Sequence, residues 1–402
     1  MRRDLTNGSG TERGRGDGAE LRADGPVQGS VAEQGSAAGR ADGPVQGRAS
    51  NTPRFRRCVI AFGATAAFLL AATAALTAYV DPFFHYHEPL ENFPYVVDNQ
   101  LSQNPGMAEH MEYDSVILGS SMTVNFNTNW FAELMGLQTI KLSYSGAFPK
   151  DIDNIAKIVF DGSHEVRRAF LAVDVPTYTG GVDETKYPLP TYLYDDNPFN
   201  DVQYLLNKDV FLEYVLRPVV NRDPTDLATV YASWWTPEYY SEEWVMRNYT
   251  PSEYVEQETE ADAYLEPTRK NLETNILPYI EENPGTTFTL FFPPYSVLFW
   301  YDVQQENHLE ATLAEYRYLM EQLLDYDNVE VFFFPDDEEI VSDLNNYADY
   351  SHYSPEISRY LAECFADGTG KITETEEIGE HIDRLRTIAL TYDYEGLMEK
   401  WR

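Results

Sequence analysis

A chain of 402 residues with 43% hydrophobic side chains can bury a full core, as one large folded unit or two smaller ones. Its formal net charge of −37 is unevenly spread: residues 1–57 hold ten Arg against seven Asp and Glu, so the remainder is strongly acidic. An acidic folded part repels phosphate backbones and anionic lipid, which argues against nucleic acid as a partner.

Residues 1–50 are rich in Gly, Ala, Arg and Asp and carry almost no large apolar side chains. They cannot offset chain entropy by burial, and a disordered tail over 1–57 is expected. Within it Arg22–Gly29 (RADGPVQG) recurs as Arg40–Gly47, a low-complexity duplication. Cys58–Val80 is an uncharged apolar run long enough to cross a bilayer as a helix. Arg54, Arg56 and Arg57 precede it, while Asp81, Glu88 and Glu91 follow. The positive-inside bias therefore puts the tail in the cytoplasm and all later residues outside. The rival is a signal peptide cleaved after Ala72-Thr73-Ala74, but the run is too long and begins too late for that. On this topology Cys58 and Cys364 cannot meet, leaving neither a disulfide nor a cysteine-based metal site.

Residues 81–112 read as a juxtamembrane segment. His85-Tyr86-His87-Glu88 raises the question of a metal, yet no second ligand cluster accompanies it, and aromatic residues beside a span suit the headgroup level. No metal and no other cofactor is expected.

Asp114–Phe126 (DSVILGSSMTVNF) is the stretch around which the rest is organised. Ser115–Leu118 is a buried strand, Gly119 breaks it, and Ser120 and Ser121 open a helical segment. That arrangement can expose a serine Oγ at a sheet edge beside free backbone N–H groups. It equally suits a plain strand-to-helix turn capped by Ser120 or Ser121. Gln138–Leu142 is the second strand, ending in Ser143-Tyr144-Ser145-Gly146. Ile152–Phe160 is a helix and Ala169–Val173 the third strand, followed by Asp174-Val175-Pro176-Thr177-Tyr178. The alternation implies right-handed crossovers and a parallel sheet.

Residues 180–278 lose this periodicity. Tyr192–Tyr194, Trp234-Trp235, Tyr239-Tyr240 and Trp244 alternate with charges and prolines, with a helical patch at Asp209–Leu216. An insertion over the carboxyl end of the sheet is expected, its rings either stacking on sugars or filling a core. Helix Leu272–Glu282 stops at Asn283-Pro284-Gly285. The fourth strand, Thr287–Phe292, runs into Pro293-Pro294-Tyr295-Ser296, where doubly wound sheets bind ligands, so Tyr295 and Ser296 are candidate substrate contacts. Helix Leu309–Leu324, strand Val329–Phe334, a polar loop Pro335–Ser354 and helix Pro355–Phe365 complete the domain. Residues 366–402 add one or two outer helices, within Glu376–Trp401. The loop carries Asp349 and His352. An Asp three residues before a His can supply the orienting carboxylate and the general base of a serine triad, or be a capping Asp beside a surface His. The fold expected is α/β: a parallel sheet of about five strands with helices on both faces.

Gly119 and Ser121 early, with Asp349 and His352 late, resemble the blocks of the GDSL/SGNH hydrolase superfamily over roughly Tyr113–Phe365. The G-S-S variant is found in its membrane-anchored envelope branch, which includes alginate O-acetyltransferase-like and D-alanyl transfer protein-like members. The resemblance implies a three-layer, flavodoxin-like domain over 113–365. It makes Ser121 the nucleophile, His352 the base and Asp349 its orienter, with the N–H groups of Ser121 and Gly146 receiving the oxyanion. Glycine suits that place because its backbone can approach a substrate with no Cβ in the way. A third donor would be the Asn of a Gly-x-Asn-Asp block, and this chain has Asp174 in that region and no Asn. An ionised Asp174 would repel an oxyanion, so it points away, is protonated, or yields the role to Thr177 or Tyr178. The function implied is an extracytoplasmic esterase or O-acyltransferase acting on a cell-envelope polysaccharide or glycolipid, with an acyl-exporting membrane protein as candidate partner. The missing Asn keeps a second possibility open, a glycan-binding or assembly protein that retains the fold.

Overall fold

Six strands form one sheet in the order β2-β1-β3-β4-β5-β6. They are β1 (Ser115–Leu118), β2 (Thr139–Lys141), β3 (Arg168–Ala172), β4 (Thr287–Phe292), β5 (Val329–Phe333) and β6 (Lys371–Ile372). All neighbours are parallel except β5 and β6. The computed structural model describes residues 52–232 and 237–401, so the expected disordered tail and the Trp234-Trp235 pair lie outside the described residues. Parallel strands are covered by helices on both faces and read as continuous apolar runs, which SVIL and TFTLFF do. The order 2-1-3-4-5 places a topological switch point between β1 and β3, the edge where such sheets take ligands.

Alternate residues of each strand feed two cores. Val116, Leu118, Leu171, Leu290 and Val331 face one layer, with the helices Pro149–Asp161, Leu265–Asn275 and Leu309–Leu323. Ile117, Phe170, Phe291 and Phe332 face the other, with Thr128–Met135 and Pro355–Asp367. Phe365 is the centre of that second layer. The rings of Phe126, Phe170, Phe291, Phe332 and Phe334 surround it at centroid distances of 5.1 to 6.2 Å.

The architecture agrees with the α/β expectation and departs from it in detail. The antiparallel edge strand β6 is two residues long and leaves no periodic trace. The single helix expected over Leu272–Glu282 is two, Leu265–Asn275 and Leu277–Glu282, because Pro278 cannot donate into a continuing ladder but suits the first turn of a new helix. Residues 81–112 are no loose link. Phe84, Val97 and Met107 enter the first core, and Gln100–His110 is a helix despite Pro105. Gly106 lies so close to the preceding segment that a Cβ there would sit 2.1 Å from the Phe83 carbonyl. Ile378, Ile382 and Leu385 of Thr375–Thr391 are likewise core residues, so the C-terminal helices are integral. The N-terminal helix contains one stretch, Pro53–Val80, long and apolar enough to cross a membrane; most of it is unburied, and Thr77 and Val80 at its end are buried.

Part of the insertion folds onto residues 81–112. Tyr204 donates to Asp81 at 2.8 Å, Tyr214 to Asp98 at 2.8 Å and Tyr231 to Asn104 at 2.7 Å, and Tyr204 and Tyr231 are buried. These rings fill a core and do not line an open wall. Replacing Phe365 by Ala should cost about 3–5 kcal/mol, since five rings cannot all collapse into the space it leaves. Denaturant unfolding with an unchanged m-value would show this, and a loss under 1 kcal/mol would contradict the packing described.

Candidate active site

Three loops leave the carboxyl edge of adjacent strands β2, β1 and β3. The loop after β1 turns at Gly119, whose φ of +146° is open to glycine; a Cβ there would stand 2.7 Å from Thr123 Cγ2 and 2.9 Å from Ala172 Cβ. Ser120 follows as the cap of a short 3-10 turn, its buried Oγ accepting from Met122 N–H at 3.2 Å. Ser121 therefore points the other way, and its Oγ lies 2.7 Å from His352 Nε2. The cap and the outward serine are different residues, which the sequence left open.

His352 Nδ1 lies 2.7 Å from Asp349 Oδ2. An ionised carboxylate can only accept, so Nδ1 carries the proton and Nε2 is free to accept from Ser121. Asp349 Oδ1 takes the backbone N–H groups of Ser351 and His352, both at 2.8 Å, which fixes the carboxylate within its own loop. Burial alone would raise the Asp349 pKa, but the facing imidazole and the two N–H groups outweigh it and hold the carboxyl at about 2. Burial would lower His352, and here too the partner wins. The charge of Asp349, its hydrogen bond and the more distant Asp174 raise the imidazole above its ordinary value.

The His352 loop is clamped from two sides. Its ends pair as Tyr347 with Tyr353, and Ala348 N–H donates to His352 O at 2.9 Å. From the Ser121 side, Tyr353 donates to Met122 O and Asn125 Nδ2 donates to Tyr353 O at 2.9 Å. From the loop after β4, Ser296 Oγ donates to Tyr350 O at 2.6 Å, and Tyr347 donates to Pro294 O at 2.8 Å. These clamps include residues that sequence reasoning missed, Asn125, Tyr347 and Tyr353. Asn125 lies in the Asp114–Phe126 stretch itself, but only the fold shows what it reaches.

Among the described residues, the backbone N–H groups of Ser121 and Gly146 have no protein acceptor. Tyr144 N–H donates to Gly119 O at 2.9 Å, which draws the Gly146 turn against the Ser121 turn. Gly146 has φ +71°, and the exposed Lys186 side chain lies over it, its Cε 3.0 Å from where a Cβ would be. Lys186 and Tyr240, which accepts from Asn125 at 3.1 Å, are the points where the described part of the insertion reaches this neighbourhood.

The five candidate substrate contacts separate. Ser296 is fully buried, capping Val297–Gln305 and holding the Tyr350 carbonyl, so it has no free face. Tyr178 is buried in the first core, and Thr177 Oγ1 turns back to Asp174 O at 2.7 Å. Tyr295 is buried and donates to Asp174 Oδ1 in a short hydrogen bond. Asp174 is itself buried, close to Ser120 Oγ, with Oδ2 lacking a partner and Tyr178, Tyr316 and Tyr353 around it. Burial pushes its carboxyl up, against the bonds from Ser120 and Tyr295 and the His352 charge. It braces the turn and contacts no bulk solvent. His85-Tyr86-His87 forms a turn around the Asp81 carboxylate, and among the described residues no cluster of three metal-ligating side chains occurs.

Comparisons with protein-family models, curated proteins and solved structures return no match.

Two pH effects follow. Ser121 needs neutral His352, so any rate that depends on the pair should rise with pH along a limb above the ordinary histidine value. In Asp349→Asn the limb should move to lower pH, because burial is then less opposed, while the rate falls by about 10⁴. A pH–rate profile reads both. Asp174 has a raised folded-state pKa, so its contribution to stability is fully present below the unfolded value and is lost as pH rises through the folded one. Asp174→Asn keeps the acceptor for Tyr295 and should stabilise the fold at pH 8 by more than at pH 4, measured by thermal melts at the two pH values.

Proposed function

We propose that this chain is a membrane-anchored serine esterase or O-acyltransferase of the GDSL/SGNH type. The observation that carries the reading is the continuous Ser121–His352–Asp349 relay, with 2.7 Å at each step. Ser121 Oγ attacks an ester carbonyl carbon as its proton passes to His352 Nε2. The carbonyl oxygen becomes an anion beside the unpaired N–H groups of Ser121 and Gly146, and Asp349 steadies the imidazolium. The C–O bond to the leaving alcohol then breaks, and His352 returns the proton to its oxygen. An acyl-serine remains. A second hydroxyl, from water or from a sugar, loses its proton to His352, attacks the acyl carbon and regenerates Ser121.

The apolar helix and the Arg54, Arg56 and Arg57 cluster before it support an N-terminus in the cytoplasm and a domain outside, where envelope glycans or glycolipids carry O-acyl groups and an acyl-exporting membrane protein could supply them. The absent Asn of the family pattern would favour a glycan-binding or assembly role. Against that, the three polar side chains are held in hydrogen-bonding contact by clamps on both loops, an arrangement that binding alone does not require. Hydrolysis of an activated acetate ester by the purified chain separates the two. Ser121→Ala and His352→Ala should each reduce turnover about 10⁴-fold or more, and the double variant should be little worse than either. Ser120→Ala should keep most of the rate. Equal activity in all variants would leave only the binding role.

A further inference from the structure

Between Phe199 and Leu227 the insertion turns apolar side chains outward. Phe199 is 90% exposed and Val220 80%, and Val202, Leu206, Leu212, Leu216 and Val219 are exposed with them. In the helical run Val210–Asn221, Leu212, Leu216, Val219 and Val220 recur at i, i+4, i+7 and i+8, while Val210, Val215 and Pro218 are buried. The run thus has an apolar stripe on its solvent side, the reverse of what a water-facing helix shows. Large exposed apolar patches mark interaction surfaces.

What covers this one is indicated by where it is tied. Tyr204, just before the run, donates to Asp81 Oδ1 at 2.8 Å and accepts from Phe83 N–H at 3.0 Å. Phe83 stacks on Tyr204 and meets Tyr214 edge-on, with centroids 5.3 and 5.0 Å apart. Asp81 directly follows Val80, the last residue of the apolar helix, and its carboxylate also takes the N–H groups of His85, Tyr86 and His87. The stripe is therefore fastened to the point where that helix ends. Of its charged neighbours, Arg217 pairs with Glu213 and Lys208 with Asp209, both at 2.6 Å, while Asp223 beside Arg222 has no cation partner among the described residues. Arg222, at φ +51°, ends the run with no carboxylate partner among the described residues. With Phe93, Pro94, Val219 and Pro224 it lines a cavity of about 530 Å³.

We propose that Val202–Arg222 lies in the bilayer surface beside the apolar helix. The stripe enters the boundary of the acyl chains, and Arg222 stands at the level of the lipid phosphates. This rests on reading Cys58–Val80 as a membrane span. The attraction is burial of apolar area, since the acidic domain gains nothing from anionic lipid. A span together with an interfacial helix removes the domain's freedom to pivot about a single anchor, and so holds the sheet edge at a set height above the membrane.

The test uses the full chain in phosphatidylcholine nanodiscs, with an environment-sensitive fluorophore on a cysteine introduced at Phe68, Val220 or Leu390 in a Cys58→Ser background. Phe68 lies within the apolar helix, and Leu390 is 57% exposed elsewhere on the domain. Labels at Phe68 and Val220 should shift to the blue and be quenched by spin-labelled lipid, and the label at Leu390 should do neither. A quenched Phe68 label with an aqueous Val220 label would overturn the interfacial helix and leave the span intact. An aqueous Phe68 label would overturn the span itself and the inference with it. A Val220 label shielded from water but untouched by spin-labelled lipid would mean a protein partner and contradict the proposal.

Discussion

The hydrogen bond between Ser121 and His352 joins residues 231 apart in sequence, and most of what surrounds it serves to hold two loops together. Neither loop is fixed by its own turn alone. The Ser121 turn is set by Gly119, whose conformation no other residue adopts easily, and by Ser120 acting as cap. The His352 loop is closed by the Tyr347–Tyr353 pair and joined to its neighbours by Tyr353, Asn125, Ser296 and Tyr347. Four contacts from two strands' loops therefore bring a hydroxyl and an imidazole within reach of proton transfer. A displacement of about 1 Å at such a site can cost roughly two powers of ten in rate.

The electrostatics follow from the same closure. Asp349 spends Oδ1 on two backbone N–H groups and Oδ2 on the imidazole, so its charge is both satisfied and directed. That lets a mostly enclosed histidine keep a raised pKa where burial alone would depress it. Asp174 is the contrasting carboxyl. It meets hydroxyls and no cation nearer than His352, and burial pushes its pKa above the ordinary carboxyl value. The backbone N–H groups of Ser121 and Gly146 have no protein acceptor among the described residues.

The sequence was most legible where the signal is local. Five buried runs became the five parallel strands to within a residue or two, and Gly119, Ser121, Asp349 and His352 fell at one edge of the sheet. It was least legible where the deciding partner is distant. Ser296 lay in the right loop, but its hydroxyl serves a helix and a carbonyl 54 residues on, which no pattern around it announces. Tyr178 reads as a candidate substrate contact, yet an aromatic side chain looks the same whether it faces a substrate or a core. Residues 81–112 read as a juxtamembrane segment because their aromatic residues directly follow an apolar span. Their packing comes from Gly106 allowing close approach and from tyrosines supplied by the insertion.

The central claim is that Ser121 is an activated nucleophile, and its most direct test is covalent capture. A fluorophosphonate reacts with a serine only when a neighbouring base has drawn off its proton. Incubation of the full-length chain, followed by peptide mass spectrometry, should place one adduct on Ser121, absent from the His352→Ala variant and retained in Ser120→Ala. An unmodified chain, or an adduct on Ser120, would contradict the account.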